Sequence, residues 1–179
     1  SYGSVSGSGL LDITDVRIYA DPDKVESGPT GVETPSELIA YIQENNSGWY
    51  RELTYDGTDP SGRSDTRPVS FLDAIIFSEY IPSTDQCEPE GNSNLYLVNY
   101  MTGTAFKDVY LDKDASTGEI MASIDVGYGK LGEMDDPRTG GNTAQIIKSS
   151  TGVEQAIEIN VGSPPLRRQS WRQIFDIAF

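Results

Sequence analysis

Four groups of side chains in this sequence could do chemistry, and each is weighed against a purely structural role. The first is a lone thiol, Cys87, set in the run Asp85-Gln86-Cys87-Glu88-Pro89-Glu90. The thiolate is the reactive form of cysteine, and a neighbouring cation is what stabilises it; Asp85, Glu88 and Glu90 act in the opposite direction. One cysteine cannot close a disulfide inside the chain, so Cys87 is a free thiol or pairs with another polypeptide. The second group is Asp112-Lys113-Asp114-Ala115-Ser116-Thr117-Gly118-Glu119. Ca2+ takes about six to eight oxygen ligands, and Asp112, Asp114 and Ser116 would supply three of them at alternate positions. The EF-hand pattern is incomplete, because glycine stands at the seventh position and no glutamate at the twelfth. An Asp-rich hairpin turn is the competing reading. The third group, Glu133, Asp135 and Asp136, reads as a solvated acidic loop. Glycosidic chemistry needs two carboxylates at a fixed separation within a cleft, which sequence spacing does not supply. The fourth, Trp49, Tyr50, Tyr96 and Tyr100, is core material before it is a sugar-binding platform.

Composition narrows the function classes. The 179 residues include no histidine, which removes His-dependent triads, His-rich zinc sites and haem ligation through histidine. Asp and Glu outnumber Lys and Arg by 28 to 13, for a net charge of −15. Binding to nucleic acid or an anionic bilayer is driven by Lys and Arg, so neither is expected as a partner. No apolar run approaches the ~20 residues of a membrane-spanning helix. Nothing in the sequence argues for an enzyme or a resident cofactor other than Ca2+.

The elements that must position these residues are mostly strands. The length is that of one domain, and 18 glycines with 10 prolines imply many turns. The fold class expected is all-β in the main: an antiparallel sheet domain or partial β-propeller with one short helix. Residues 1–9, SYGSVSGSG, read as a flexible or partner-bound arm, and 10–179 as a single β-rich domain. Alternation predicts strands over Leu10–Ala20, Gly48–Tyr55, Ala74–Tyr80 and Ile120–Val126, and Leu95–Val98 reads as a strand turning into a hairpin at Asn99–Thr104. Asp21–Gly31 is expected as loop. Thr34-Pro35-Ser36-Glu37 has the form of a capping box with proline in the first turn, and Leu38, Tyr41 and Ile42 then share a helical face. Thr143–Lys148 and Val153–Val161 pair as a hairpin. The run PPLRRQSWRQIFDIAF gathers Arg167, Arg168 and Arg172 around Trp171, in a helical turn or a closing strand.

Three ordered motifs then point to a family. GWYRELTYDG, followed by TRPVSFLDAIIFSEYIPSTDQCEPEGNSNLYLVNYMTGTAF and by RRQSWRQI, resembles the C-terminal β-propeller region of the PilY-type type IV pilus biogenesis and tip-adhesin family. The match runs from about 48 to 174. The resemblance implies a secreted, extracellular or outer-surface bacterial protein, non-catalytic, acting in type IV pilus assembly or adhesion. The family's calcium-binding loop is matched in part, at Asp112, Asp114 and Ser116. A propeller blade takes roughly 40–45 residues, so this chain supplies three or four at most. An incomplete propeller exposes strand edges that natural proteins cover or pair. The partners implied are the remainder of a PilY-like protein, minor pilins or a surface filament, with Cys87 available for an inter-chain disulfide. Two other readings stand beside this one: a structural subunit of an extracellular filament, and a quinoprotein-like dehydrogenase fragment, which a single cysteine disfavours.

Overall fold

Alternating apolar positions become strands here wherever a partner strand lies within reach. The computed structural model describes residues 9–54, 61–64, 66–84, 91–132, 134, 143–148 and 154–161, with the side chains of 143–148 and 154–156 excepted. In chain order the described elements are β1 (Leu10–Asp12), β2 (Arg17–Ala20), β3 (Asp23–Glu26), α1 (Pro35–Asn45), β4 (Gly48–Tyr50), β5 (Val69–Phe71), β6 (Ala74–Ile81) and β7 (Asn92–Asn99). They continue with β8 (Val109–Tyr110), β9 (Asp112–Lys113), β10 (Glu119–Met121), β11 (Ser123–Tyr128), β12 (Thr143–Lys148) and β13 (Glu154–Val161). Among the described residues the fold is mainly β with one short helix, as the composition implied.

The described strands form small sheets: β5-β6-β7-β11, β3-β2-β10-β9, β12-β13-β8 and the pair β1-β4. Every pairing is antiparallel except β1 with β4. The longest ladder joins β6 to β7, from Ala74 opposite Asn99 to Ile81 opposite Asn92. Its inward face sends Ile76, Leu95 and Leu97 into a core shared with Val109, Ile157 and Ile159. Burying each such side chain contributes about 1.5–3 kcal/mol. A second core lies under α1, where Leu38 and Ile42 meet Ile13, Ile18, Val25 and Ile120. The segment 105–110 is the seam between the two. Ala105 and Tyr110 pack on the helix-side core, while Phe106 and Val109 pack on the other.

The helix begins as the sequence predicts. Thr34 accepts from the Glu37 amide and Glu37 accepts from the Thr34 amide, which completes the capping box ahead of Pro35. The β12–β13 hairpin also forms as predicted, with Thr143 opposite Ile159 and Lys148 opposite Glu154.

Elsewhere the structure corrects the sequence reading. The single strand expected over Leu10–Ala20 is broken into β1 and β2, because the Thr14 amide and hydroxyl both bond Asp12 Oδ1 and fold a turn. The loop expected over Asp21–Gly31 contains β3, which pairs with β2 from Arg17–Glu26 to Ala20–Asp23. The strand expected over Gly48–Tyr55 is regular only as far as Tyr50. Ile120–Val126 divides at Ala122 into strands of two different sheets. Asn99–Thr104 turns the chain out of β7, but no hairpin follows, since β7 pairs with β6 and β11. Finally, the two-residue turn Leu72-Asp73 closes a β5–β6 hairpin that carries no glycine signal; Leu72 takes the left-handed φ of 52° itself.

Candidate functional site

The turn that leaves β7 is fixed by its own side chains. The Gly103 amide donates to the Asn99 carbonyl at 2.8 Å, and the Asn99 amide donates to the Thr104 carbonyl at 2.8 Å. Asn99 Oδ1 accepts from the Met101 amide at 2.8 Å, and the buried hydroxyls of Thr102 and Thr104 bond each other at 2.9 Å. Gly103 sits at φ +68°, in the region that favours glycine.

Trp49 docks on this turn. Its indole Nε1 donates to the Tyr100 carbonyl at 3.0 Å, and its ring lies so close to Gly103 that a Cβ there would overlap it. Two residues on, the Arg51 guanidinium spreads over three carbonyls: Nε to Gly103 at 3.4 Å, Nη1 to Thr14 at 3.1 Å and Nη2 to Ile13 at 3.2 Å. Burial pulls Arg51 below its ordinary value, while the charge of Asp12 acts the other way. Residues some fifty positions apart in sequence are thus joined at one junction. Tyr100, at 51% exposure, is the part of it that solvent reaches most. The aromatics expected in the core divide accordingly: Tyr96 is buried, Trp49 and Tyr50 are half-buried, and Tyr100 is exposed.

Next to the junction, on the second face of the β6–β7 ladder, is a buried carboxylate that alternation places on the solvent side. Glu79 is 0% exposed. Its Oε2 accepts from Thr54 Oγ1 at 3.1 Å, Asn94 Nδ2 at 3.0 Å and Tyr96 Oη at 3.0 Å, and its Oε1 accepts from the Thr54 amide. Gly62 closes over it, leaving no room for a Cβ against the carboxylate. Tyr96 stacks on Phe77 with ring centroids 4.8 Å apart. Burial, followed by the Glu79 charge, pushes the Tyr96 phenol up to about 12, so it stays a hydrogen-bond donor to Glu79 at neutral pH. These groups are saturated by one another, and the arrangement pins Thr54 and Gly62 to the two strands.

The residues singled out for chemistry are placed as follows. Asp112 and Ser116 are exposed and Asp114 is partly exposed, all on the β9–β10 hairpin. Asp114 Oδ1 accepts from Ser116 Oγ at 2.6 Å, the Ser116 amide at 2.7 Å and the Thr117 amide at 3.1 Å. The Ser116 hydroxyl, then the two amides, hold the Asp114 carboxyl below the usual range. Gly118, at φ +76°, finishes the turn, and Asp112 bonds the amide of Lys113. Among the described residues no group of three or more His, Cys, Asp or Glu side chains is arranged to hold a metal ion. Cys87, Glu133, Asp135, Asp136 and the arginines around Trp171 lie outside the described residues, as does Tyr55. Also among the described residues, no helix is long and apolar enough to cross a membrane.

Sequence reasoning missed Arg51 and Glu79. The signal for Arg51 was its place in the Gly48–Arg51 run, two residues after a tryptophan; Glu79 had none, since its cover comes from a distant segment. No protein-family model, no curated protein and no solved structure matches the chain.

Proposed function

We propose that this chain is a non-catalytic binding and assembly module of the PilY type, acting at the cell surface in type IV pilus assembly or adhesion and completed by another polypeptide. The observation that supports the reading best is the Trp49–Gly103 junction. The Gly-Trp-Tyr motif and the Tyr-Met-Thr-Gly turn, two of the pieces on which the family resemblance rests, pack directly on each other. A motif pair that meets in three dimensions has a structural reason to recur together. The open edges agree with a partner in trans. β1 and β4 pair only with each other among the described strands, and a two-stranded ribbon is marginal by itself. Cys87 would supply a covalent link to that partner, and minor pilins or the remainder of a PilY-like protein are the chemistry expected on the other side.

Native mass spectrometry on the chain recovered without reductant from a piliated bacterium, coupled to light scattering, tests the reading. A heteromeric mass that separates on reduction into a 19.5 kDa chain and a partner is the expected result. Stoichiometric self-association would favour a filament subunit built by strand addition. A monodisperse 19.5 kDa species under every condition overturns completion in trans.

A further inference from the structure

The turn on which Trp49 docks also lines an open surface cavity of about 150 Å³ beside the first turn of α1. A cavity of about this size holds a group of benzene's dimensions. In its wall stands Asn99, which is 7% exposed. The Met101 amide donates to Asn99 Oδ1 at 2.8 Å, and this bond fixes which end of the side-chain amide is the oxygen. Nδ2 is left over, and among the described residues no group accepts from it. Among those residues the side-chain atom sealed from solvent without a partner is Asn46 Oδ1. Asn99 Nδ2 therefore keeps an opening, and the cavity is the opening that Asn99 lines. An amide donor so nearly buried is costly unless whatever enters the cavity accepts from it.

The other lining groups define what that occupant is. Thr102 and Thr104 are buried beside Asn99, with their hydroxyls bonded to each other at 2.9 Å. Each hydroxyl has one proton and two lone pairs, so the pair can still accept from a ligand N–H. In the first turn of α1, Thr34 takes the Glu37 and Leu38 amides and Pro35 has none, which leaves the Ser36 amide and hydroxyl at the cavity mouth. Ile39, Ala105 and Phe106 supply apolar wall. Charge argues against an ionic ligand. Lys107 is already paired with Asp23 at 2.8 Å, and an anion would face the exposed Asp108 on a chain of net charge −15. A cation, in turn, would face the Asn99 donor. The group that fits is neutral and carries a carbonyl oxygen, an N–H and a methyl, which is the make-up of an acetamido group.

We propose that this cavity binds the acetamido group of an N-acetylated hexosamine. Asn99 Nδ2 donates to the carbonyl oxygen, the Thr102–Thr104 pair accepts from the N–H, and the methyl rests on Ile39 and Ala105. The sugar ring lies against Phe106, an apolar face suited to its C–H side, with Ser36 and Asp108 at the mouth for its hydroxyls. Every one of these residues belongs to this chain, so the site stands whether or not a partner completes the fold in trans.

NMR titration of the isotope-labelled full chain with N-acetyl-D-glucosamine tests this directly. The expected result is a saturable shift, in the millimolar range, of the Asn99 side-chain amide and of the Ser36, Thr102 and Thr104 backbone amides. D-glucose, which has a hydroxyl where the acetamido group stands, should leave them in place. Asn99→Asp keeps an acceptor for the Met101 amide but loses the donor, and should weaken binding by about tenfold or more. Ile39→Trp, on the half-buried helix wall, fills the cavity without touching the turn; it should abolish the shifts while far-UV circular dichroism stays unchanged. Shifts confined to other surfaces, equal shifts with glucose, or undiminished binding in Ile39→Trp overturn the proposal. Sodium acetate covers the remaining ligand chemistry: if acetate shifts these residues and the sugar does not, the cavity is an anion site at the helix terminus and the proposal is overturned.

Discussion

If the Trp49–Gly103 junction organises this chain, adding one methyl group at Gly103 must cost more than the backbone conformation alone explains. Gly103→Ala forces an L-residue to hold φ +68°, which costs about 1 kcal/mol. The new Cβ also enters the Trp49 ring, whose Cε3, Cδ2 and Cζ3 are its nearest neighbours. Overpacking of this kind costs about 1–3 kcal/mol, and displacing the ring endangers the Nε1 bond to Tyr100, worth about 1 kcal/mol. The expected loss is about 3 kcal/mol. Gly31 provides the internal control, since it holds φ +85° and a Cβ added there would meet nothing within 4 Å. Gly31→Ala should therefore lose only the backbone part, about 1 kcal/mol. Urea unfolding followed by far-UV circular dichroism avoids reliance on the tryptophan being tested. The decisive comparison repeats Gly103→Ala in a Trp49→Ala background. There the clash has no partner, so the cost should fall to about 1 kcal/mol, a coupling of about 2 kcal/mol. Equal costs at Gly103 and Gly31, or additive Trp49 and Gly103 effects, would refute the junction.

The other sites give sharper, smaller tests. Glu79→Gln replaces one acceptor oxygen by an amide that faces donors from Thr54, Asn94 or Tyr96; a loss of about 3 kcal/mol is expected from two forfeited bonds to a charged acceptor, and a loss under about 1 kcal/mol in the same denaturation assay would contradict the pinning role. Thr34→Ala should cost about 1 kcal/mol by removing the N-cap. The backbone amides of Glu33 and Thr34 hold Glu37 below its ordinary value of 4.5, so its contribution is fully present above pH 4.5 and is lost as pH falls through the lower folded value. Glu37→Gln should accordingly flatten stability between neutral and acid pH, and an unchanged acid slope would count against the capping box. Asp114→Ala should destabilise the β9–β10 hairpin equally in EDTA and in millimolar Ca2+ if the carboxylate serves the turn; a melting temperature that rises with Ca2+ in wild type alone would assign the loop to calcium instead.

What could be read in the sequence was whatever is decided within a few residues. The capping box at Thr34 and Glu37 is such a case, because donor and acceptor are three positions apart. The β12–β13 hairpin is another. Local chemistry also explains one failure: the Asp12–Thr14 turn interrupts an alternating pattern that hydrophobic spacing by itself extends through Ala20. The β5–β6 turn escaped for the opposite reason, since Leu72 occupies a position where glycine is the expected signal.

Glu79 shows why the rest was out of reach. In AIIFSEYI the alternation assigns Ile76 inward and Glu79 to the other face, and that assignment is right as far as one strand goes. Whether the other face meets water depends on a segment that reaches it from 25 residues upstream, where the Thr54 amide and hydroxyl come down on the carboxylate. A charged residue without that cover would be an ordinary exposed glutamate. With it, burial must be matched by donors, and the four donors present come from two separate places: Thr54 supplies two, and Asn94 and Tyr96, both on β7, supply one each. The same holds at Trp49, whose role depends on a glycine far along the chain, Gly103. Both sites tie an early segment to the β6–β7 ladder by polar contacts that a slightly different crossing would leave unsatisfied. An unmatched buried carboxylate is far costlier than an exposed one. The polar pins therefore select this crossing over neighbouring ones, while the apolar cores supply the bulk of the stability.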